Sequence, residues 1–174
     1  MKGRKMEINK QIQLSRRLAY ILRHSNLPDY NGWVKNNEIM NELAISQQEL
    51  KQIVMNDNKG RFELLEDKVR ALYGHSIDVD LNLTPSIPPS ELYHGTAEKY
   101  FEDIYIKEQG LKPQKRNYVH LSETIEMAKE VGSRHGQPIV LAIDTELMIE
   151  DGYKFYKVTN GIWITDCVPF LYIK

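Results

Sequence analysis

A short proline-rich segment near the middle of the chain constrains the fold more than any other feature. Pro85, Pro88 and Pro89 fall within residues 84–90. Proline fixes φ and removes a backbone donor, so no helix or central strand is expected to run through them. We interpret 84–90 as a stiff linker between two lobes, 1–83 and 91–174. The length of 174 residues suits this division, because it corresponds to one domain or two small lobes.

Helical periodicity dominates the first lobe. Apolar residues on one face predict a helix over about 10–24, which the Asn31-Gly32 turn follows. A brief second helix is expected after a cap at Asn36 or Asn37. A third is expected at the capping box formed by Ser46 and Glu49.

Strand patterns follow these helices. Residues 61–65 and 69–72 predict a short hairpin, and the alternation over 77–83 predicts a strand that leads out of the lobe. Three helices followed by a hairpin are typical of a winged-helix-like lobe, a class that commonly binds nucleic acid.

The second lobe alternates between strands and helices. Strands are expected at 92–94, 118–121 and 139–143, with two or three more near the C-terminus around an Asn160-Gly161 hairpin turn. Helices are expected at 97–108, with Gly110 just past the end, and after a cap at Ser122 through about 131. The fold class is therefore α+β.

Charge and cysteine content exclude several classes. The formal net charge is −1, which argues against a general nucleic-acid coating protein but leaves a local basic pocket open. Cys167 is the one cysteine; it fits a reducing compartment, and we interpret it as a small apolar residue of a C-terminal strand. Residues 1–10 lack the apolar region of a signal peptide, and no run approaches the roughly 18 apolar residues of a membrane span. We expect a soluble, cytoplasmic protein.

The five histidines indicate where the chemistry lies. Each has a glycine, an arginine or a hydroxyl residue within two positions: Arg23-His24-Ser25, Gly74-His75-Ser76, His94-Gly95-Thr96, Val119-His120-Leu121-Ser122 and Arg134-His135-Gly136. Several of them fall at the ends of predicted elements, where sites tend to be built.

A phosphate ligand fits this pattern better than a metal ion. Zinc sites usually show close ligand pairs such as His-x₃-His or Cys-x₂-Cys, and the chain has none. Arginine offers a charged planar fork for phosphate oxygens, and Arg23, Arg61 and Arg116 lie near element boundaries. Single motifs have plainer interpretations, since Arg23-His24 suits any helix C-terminus and His94-Gly95-Thr96 suits a tight turn.

Taken in order, the motifs identify a family. Leu14-Ser15, Leu22-Arg23-His24, Asn31-Gly32-Trp33-Val34, Lys59-Gly60-Arg61-Phe62, Arg70-Ala71, Gly74-His75-Ser76, Tyr93-His94-Gly95-Thr96, Arg116-Asn117-Tyr118-Val119-His120-Leu121-Ser122 and Gly132-Ser133-Arg134-His135-Gly136 follow one another along the chain. This ordered set resembles the KptA/tRNA 2′-phosphotransferase family, from about Leu14 to Leu171.

The resemblance implies a winged-helix-like RNA lobe followed by a mixed α/β lobe that is ADP-ribosyltransferase-like and binds NAD⁺. It implies catalysis by Arg23, His24, Arg61 and Arg116. It implies NAD⁺ contacts from His94, Gly95, Thr96, His120, Ser122 and Arg134. It implies a substrate-phosphate position at the lobe junction for Arg70, Gly74, His75 and Ser76.

The implied reaction has two steps and needs no metal. An internal RNA 2′-phosphate attacks the nicotinamide ribose of NAD⁺, which is consumed as a co-substrate, and nicotinamide leaves. The 2″-hydroxyl of the 2′-phospho-ADP-ribosylated RNA then attacks phosphorus, releasing 2′-OH RNA and ADP-ribose 1″,2″-cyclic phosphate. His24 is the expected acid–base group, and we expect a monomer.

The chain departs from the family in one place and leaves two other functions open. Ser15-Arg16 stands where the family has Ser-Lys. No Glu-x-Glu of protein-modifying ADP-ribosyltransferases is present, and Glu123 and Glu126 are expected on a helix surface. The alternatives are an ADP-ribosyltransferase acting on nucleic-acid phosphate ends or on protein, and a non-catalytic winged-helix nucleic-acid binder.

Overall fold

The chain folds into two compact units, Met1–Asn82 and Leu83–Lys174. The structure is a computed structural model that describes residues 2–102, 104 and 107–174, with the backbone alone for 2–8. Within these residues it is a mixed α/β protein with five α-helices and two antiparallel sheets.

The first unit packs three helices against a small antiparallel sheet of order β1-β3-β2. Its elements are α1 (Lys2–His24), β1 (Trp33–Lys35), α2 (Asn36–Leu43), α3 (Gln47–Met55), β2 (Phe62–Leu64) and β3 (Lys68–Ala71). Leu18 and Leu22 lie one turn apart on α1 and are fully buried with Ile39, Leu50 and Val69. Helix packing over this apolar core fixes the last turn of α1.

The helix starts follow local capping chemistry. The capping box is confirmed: Ser46 Oγ accepts from the Glu49 backbone N–H at 3.2 Å, and Glu49 Oε2 accepts from that of Ser46 at 2.9 Å. The prediction of a cap at Asn36 or Asn37 is wrong, because Lys35 occupies the N-cap of α2. The Asn36 amide instead donates to the backbone oxygen of Glu66 at 3.1 Å, in the turn between β2 and β3.

The strand predicted over 77–83 is also wrong. The segment has no sheet partner, and its backbone contacts the turn before β1, where Asp80 N donates to Tyr30 O at 2.8 Å. Val79 is buried. The alternating apolar residues therefore reflect docking of a loop onto the unit rather than a ladder.

The second unit is built on a five-stranded antiparallel sheet of order β6-β4-β5-β8-β7. Its elements are β4 (Glu91–Ala97), a 3₁₀ turn (Glu98–Tyr100), β5 (Val119–Ser122), α4 (Ile125–Gly132), β6 (Pro138–Asp144), α5 (Thr145–Glu150), β7 (Tyr156–Thr159), β8 (Ile162–Thr165) and a second 3₁₀ turn (Phe170–Tyr172). Leu92, Leu121, Ile143, Met148 and Phe155 form the centre of a separate apolar core.

Two helix starts in this unit differ from the prediction. Ser122 does not cap α4, because it ends β5 and pairs with Ile162; Thr124 is the cap, and its Oγ1 accepts from Met127 N at 3.2 Å. Ala97 does not begin a helix, because it pairs with Pro138 at the end of β4. Part of the helix predicted over 97–108 lies outside the described residues.

Other features of the second unit bear on the remaining predictions. The Asn160-Gly161 hairpin turn is confirmed between β7 and β8, and Gly161 has φ +77°. Cys167 lies in the coil after β8 rather than in a strand. In the part of the chain that the structure describes, no helix is long and apolar enough to cross a membrane.

Candidate functional site

The last turn of α1 carries Arg23 and His24, and a loop from the end of the first unit lies directly against it. Ser76 N donates to Arg23 O at 3.0 Å. His24 Nδ1 and Ser76 Oγ are 2.8 Å apart, a hydrogen bond whose direction depends on the tautomer. The structure thus brings together three of the predicted site residues, and two bonds to one serine set the position of His24 at the helix end.

The Arg23 guanidinium is held between a ring and a glycine. Its Cζ lies 4.9 Å from the centre of the Tyr73 ring, a cation–π arrangement. A Cβ at Gly74 would lie only 3.2 Å from that Cζ, and Gly74 has φ +86°. Only glycine adopts this backbone without strain and leaves room for the guanidinium. Gly74 therefore belongs to the Arg23 site for a steric reason.

Tyr73 links this site to the loop before β2. Its hydroxyl donates to Lys59 O at 3.1 Å. Burial raises the pKa of Tyr73, and the nearby charge of Arg23 opposes that rise. The phenol therefore stays neutral near pH 7 and keeps its proton for the Lys59 carbonyl.

Arg61, just before β2, is fixed by two side chains. Its Nε and Nη2 donate to Asp57 Oδ1 at 2.9 and 2.6 Å, and Nη2 also donates to Ser15 Oγ on α1 at 2.8 Å. The Asp57 side chain is 2% exposed and that of Arg61 18%. A charge-assisted pair at this depth is far better ordered than a surface ion pair.

Arg70 and His75, two more of the predicted site residues, lie near the start of β1. Arg70 on β3 donates to Glu63 Oε2 at 2.8 Å, and its guanidinium lies 4.5 Å from the centre of the Trp33 ring. The buried His75 packs on the turn at Gly32, where an added Cβ would lie 3.6 Å from His75 Nε2. The contacts of Arg70 and His75 therefore stabilise packing within the first unit.

In the second unit, the neighbouring strands β4 and β5 bring His94 and His120 together. His94 Nδ1 lies 3.0 Å from the backbone oxygen of His120. Desolvation lowers the pKa of His94, and this hydrogen bond opposes the shift only in part. A neutral ring with its proton on Nδ1 presents Nε2 as a hydrogen-bond acceptor.

The glycines of this unit allow a close approach of β4 and α4. A Cβ at Gly95 would fall on the backbone oxygen of Ala128, and one at Gly132 would lie 2.5 Å from Thr96 O. Gly95 is thus required by packing, and the hydroxyl residues Thr96 and Ser122 are buried.

Two further predicted arginines lie in this second unit. Arg116 belongs to the loop before β5, where its backbone N–H donates to Pro113 O at 3.0 Å. Partial desolvation lowers the pKa of its guanidinium. Arg134 follows α4 and pairs with Glu130 at 3.2 Å across a solvent-exposed helix end. Such an exposed pair constrains a side chain weakly.

Asp57, Tyr73 and Glu123 were not among the predicted site residues. The signal for Asp57 was its position four residues before an arginine. The prediction that Glu123 lies on a helix surface is wrong: it precedes the cap of α4 and accepts from Trp163 Nε1 at 2.7 Å and Lys157 Nζ at 2.9 Å. These bonds, first that to Lys157, lower the pKa of Glu123.

No group of three or more His, Cys, Asp or Glu side chains that could hold a metal ion occurs within 9–102, 104 and 107–174. The absence of a metal requirement stays a prediction.

Comparison with known proteins identifies the family. The family described as "RNA 2′-phosphotransferase, Tpt1 / KptA family" matches residues 9–167. A Fusobacterium nucleatum protein named "Probable RNA 2′-phosphotransferase" is 44% identical over 180 residues, covering 96% of this chain and 99% of its own length. Proteins of the same name from Hahella chejuensis and Acaryochloris marina are each 43% identical, covering 92% and 91% of this chain and 91% and 93% of their own lengths. The chain is therefore a transferase that belongs to the Tpt1/KptA family of RNA 2′-phosphotransferases.

Proposed function

We propose that this RNA 2′-phosphotransferase passes an internal RNA 2′-phosphate to NAD⁺, which it consumes. In this proposal the first unit is a winged-helix-like lobe that binds the RNA phosphate. The second unit is an ADP-ribosyltransferase-like lobe that binds NAD⁺. The observation that carries the proposal is the fixed arrangement of Arg23 between Tyr73 and Gly74 beside the His24–Ser76 pair.

The first unit has the donors that a phosphate monoester needs. Arg23 and Arg61 are held by neighbouring groups rather than extended into solvent. Guanidinium groups that are ordered before binding lose little entropy when they bind phosphate oxygens. These contacts support phosphate binding by Arg23 and Arg61, with Gly74 and Ser76 fixing the positions of Arg23 and His24.

The second unit has groups that fit a nucleotide with ribose hydroxyls. The His94 Nε2 acceptor suits a ribose O–H, and the buried hydroxyls of Thr96 and Ser122 can accept or donate. Gly95 contributes a backbone without a side chain, and His120 orients His94 through its carbonyl. We assign these residues to NAD⁺ binding, with Arg134 as an additional cation.

The chemistry requires two anions to approach and a proton to move. NAD⁺ supplies a ribose–nicotinamide bond that is weak because the leaving group is neutral, and a 2″-hydroxyl. Arg23, Arg61 and Arg116 offset the charge of the phosphoryl oxygens. Since Ser76 binds His24 at Nδ1, we assign proton exchange with the hydroxyl to Nε2.

A short RNA with one internal 2′-phosphate tests the proposal. We expect loss of the phosphate only when NAD⁺ is present, with release of nicotinamide and ADP-ribose 1″,2″-cyclic phosphate, and we expect activity to survive a strong chelator. Phosphate loss without NAD⁺ contradicts the proposal. A stable ADP-ribose adduct on 5′-phosphorylated RNA favours the alternative ADP-ribosyltransferase. If folded protein neither releases nicotinamide nor removes the 2′-phosphate from RNA, a non-catalytic binder is favoured.

Substitution of two arginines tests the order of the steps. Arg61→Ala and Arg116→Ala are expected to slow the attack on phosphorus more than the loss of nicotinamide, because the phosphoryl charge is greatest there. ADP-ribose-linked RNA then accumulates and is seen as a gel shift. Reduced turnover without this accumulation in either variant contradicts the assignment.

Monomeric state and cytoplasmic location stay predictions from the sequence.

A further inference from the structure

We propose that Asp57 is a positioning residue that orients the Arg61 guanidinium for the RNA 2′-phosphate. The inference rests on the proposed role of Arg61 in phosphate transfer. Asp57 lies in the loop between α3 and β2, and its side chain is almost wholly buried. The pair buries two opposite charges, an arrangement that often gives little stability compared with apolar residues of the same size.

The two carboxylate oxygens of Asp57 have separate partners. Oδ2 accepts from the Arg61 backbone N–H at 2.5 Å, which closes the loop before β2. Oδ1 accepts from Arg61 Nε and Nη2 at 2.9 and 2.6 Å, which fixes the plane of the guanidinium. Closing the loop would need only Oδ2. The bonds from the guanidinium to Oδ1 therefore indicate that Asp57 also orients the Arg61 side chain.

Ser15 completes the orientation from a different element. Its Oγ on α1 accepts the remaining Nη2 proton at 2.8 Å. The bonds to Asp57 and Ser15 together use the Nε–H and both Nη2 protons, and Nη1 takes no part in them. The bonds of the Nε–H and the two Nη2 protons therefore fix one edge of the planar guanidinium. Because the group is rigid, they also fix the direction of the two Nη1 donors.

The cluster also includes the Arg23 site. Burial raises the pKa of Tyr73, and Arg23, Asp57 and Arg61 all act on this phenol electrostatically. Tyr73 lies under Arg23 and donates to Lys59 O in the same loop as Asp57. Tyr73 therefore connects the loop that holds Asp57 and Arg61 to the guanidinium of Arg23.

The test is a double-mutant cycle between Asp57 and Arg61 in the full-length protein. Asp57→Asn keeps the size of the side chain but replaces one oxygen by NH₂, so it cannot serve both the loop N–H and the guanidinium. The rate at which the 2′-phosphate is removed from RNA in a single turnover with NAD⁺ is measured for Asp57→Asn, Arg61→Ala and the double variant. We expect Asp57→Asn to lower the rate constant by about 10- to 100-fold, because a misplacement of about 1 Å can cost that much in catalysis. The RNA concentration that gives half of the maximal single-turnover rate is expected to change less.

Non-additivity separates positioning from a structural role. If Asp57 acts through Arg61, then Asp57→Asn has no further effect in the Arg61→Ala background. Asp29→Asn is the matched control, because Asp29 Oδ1 also closes a loop by accepting from Asn31 N and Trp33 N, both at 2.9 Å, without an arginine side chain in these bonds. It is expected to leave the rate constant nearly unchanged.

The outcomes distinguish this inference from the proposed function. An unchanged rate in Asp57→Asn, or a loss that multiplies with that of Arg61→Ala, overturns the positioning role and leaves the proposed function standing. Normal turnover in Arg61→Ala overturns both. If Asp57→Asn does not fold, Asp57→Glu replaces it in the same cycle, because it keeps the charge but moves the carboxylate by one methylene group. Equal rates for Asp57→Glu and the parent protein then overturn the inference.

Discussion

Gly74 has no Cβ, which both permits its positive φ and leaves room for the Arg23 guanidinium. Gly74→Ala combines the cost of a positive φ, about 1 kcal/mol, with a Cβ 3.2 Å from Arg23 Cζ. We expect the Arg23 guanidinium to shift and turnover to fall by roughly 10-fold, since small misplacements of positioned groups are costly in catalysis. The single-turnover rate of 2′-phosphate removal from RNA measures the effect on turnover, and the melting temperature measures the effect on stability.

Gly152→Ala is the matched control for this substitution. Gly152 has φ +89°, close to that of Gly74, but an added Cβ there meets nothing within 4 Å. It therefore carries the backbone strain without the contact. Equal losses of turnover in the two variants, at equal losses of stability, contradict a role of Gly74 in placing Arg23.

At the scale of elements, β4 packs closely on α4 in the second unit. Gly95→Ala places a methyl group on the backbone oxygen of Ala128, and a backbone atom cannot rotate away as a side chain does. We expect a loss of stability at the upper end of the ~1–3 kcal/mol range for overpacking. This corresponds to a fall in melting temperature of roughly 5–10 °C. A fall no larger than that of Gly152→Ala contradicts the close approach of these elements.

The contact of Glu123 with the β7–β8 hairpin gives a prediction for pH. Its bonds to Lys157 and Trp163 lower the pKa of Glu123 below its ordinary value of 4.5. A carboxylate with a lowered folded-state pKa stabilises the protein fully above that ordinary value, and the contribution is lost as pH falls through the folded-state pKa. The melting temperature of Glu123→Gln is therefore expected to be lower than that of the parent at pH 7, with a difference that shrinks below about pH 4.5. A difference that is constant between pH 7 and pH 3 contradicts an electrostatic origin.

Local chemistry explains which elements could be predicted from the sequence. The Ser46–Glu49 box and the Asn160-Gly161 turn involve residues a few positions apart, and both predictions are confirmed. Ser122 fails as a cap because its backbone is used by a ladder with Ile162, forty residues later. Pairings of that range leave no periodic signal in a short window of sequence.

In the candidate site, too, local features could be predicted from the sequence and long-range contacts could not. Arg23-His24 and Gly74-His75-Ser76 stand out in the sequence, but their contact joins positions about fifty residues apart. Tyr73 shows no motif of its own, and the position of Asp57 four residues before Arg61 does not by itself indicate a site. The importance of both is visible from the side chains they contact. Packing against non-local neighbours therefore decides which of the polar residues bear on the site.

At the scale of the whole molecule, charge is divided unevenly between the two units. Residues 1–82 contain 13 Lys and Arg against 11 Asp and Glu, a net charge of +2, whereas residues 83–174 contain 10 against 13, a net charge of −3. The total of −1 hides this difference. A positive first unit suits the phosphates of RNA, and neutralised phosphates make affinity depend on salt. The charge division therefore supports RNA binding by the first unit.

Each unit has its own apolar core, so we expect the fragments 1–82 and 83–174 to fold separately. A ligand that binds only the native state stabilises it by about 2.7 kcal/mol at 100 times its Kd. RNA with a 2′-phosphate is expected to raise the melting temperature of fragment 1–82 but not of its Arg23→Ala variant. NAD⁺ is expected to raise that of fragment 83–174, and Arg134→Ala, which removes a weakly held cation, is expected to reduce this rise only slightly. A rise in the melting temperature of fragment 1–82 with NAD⁺ alone contradicts the division of ligands, because the acceptor of the phosphate would then bind where its donor is expected.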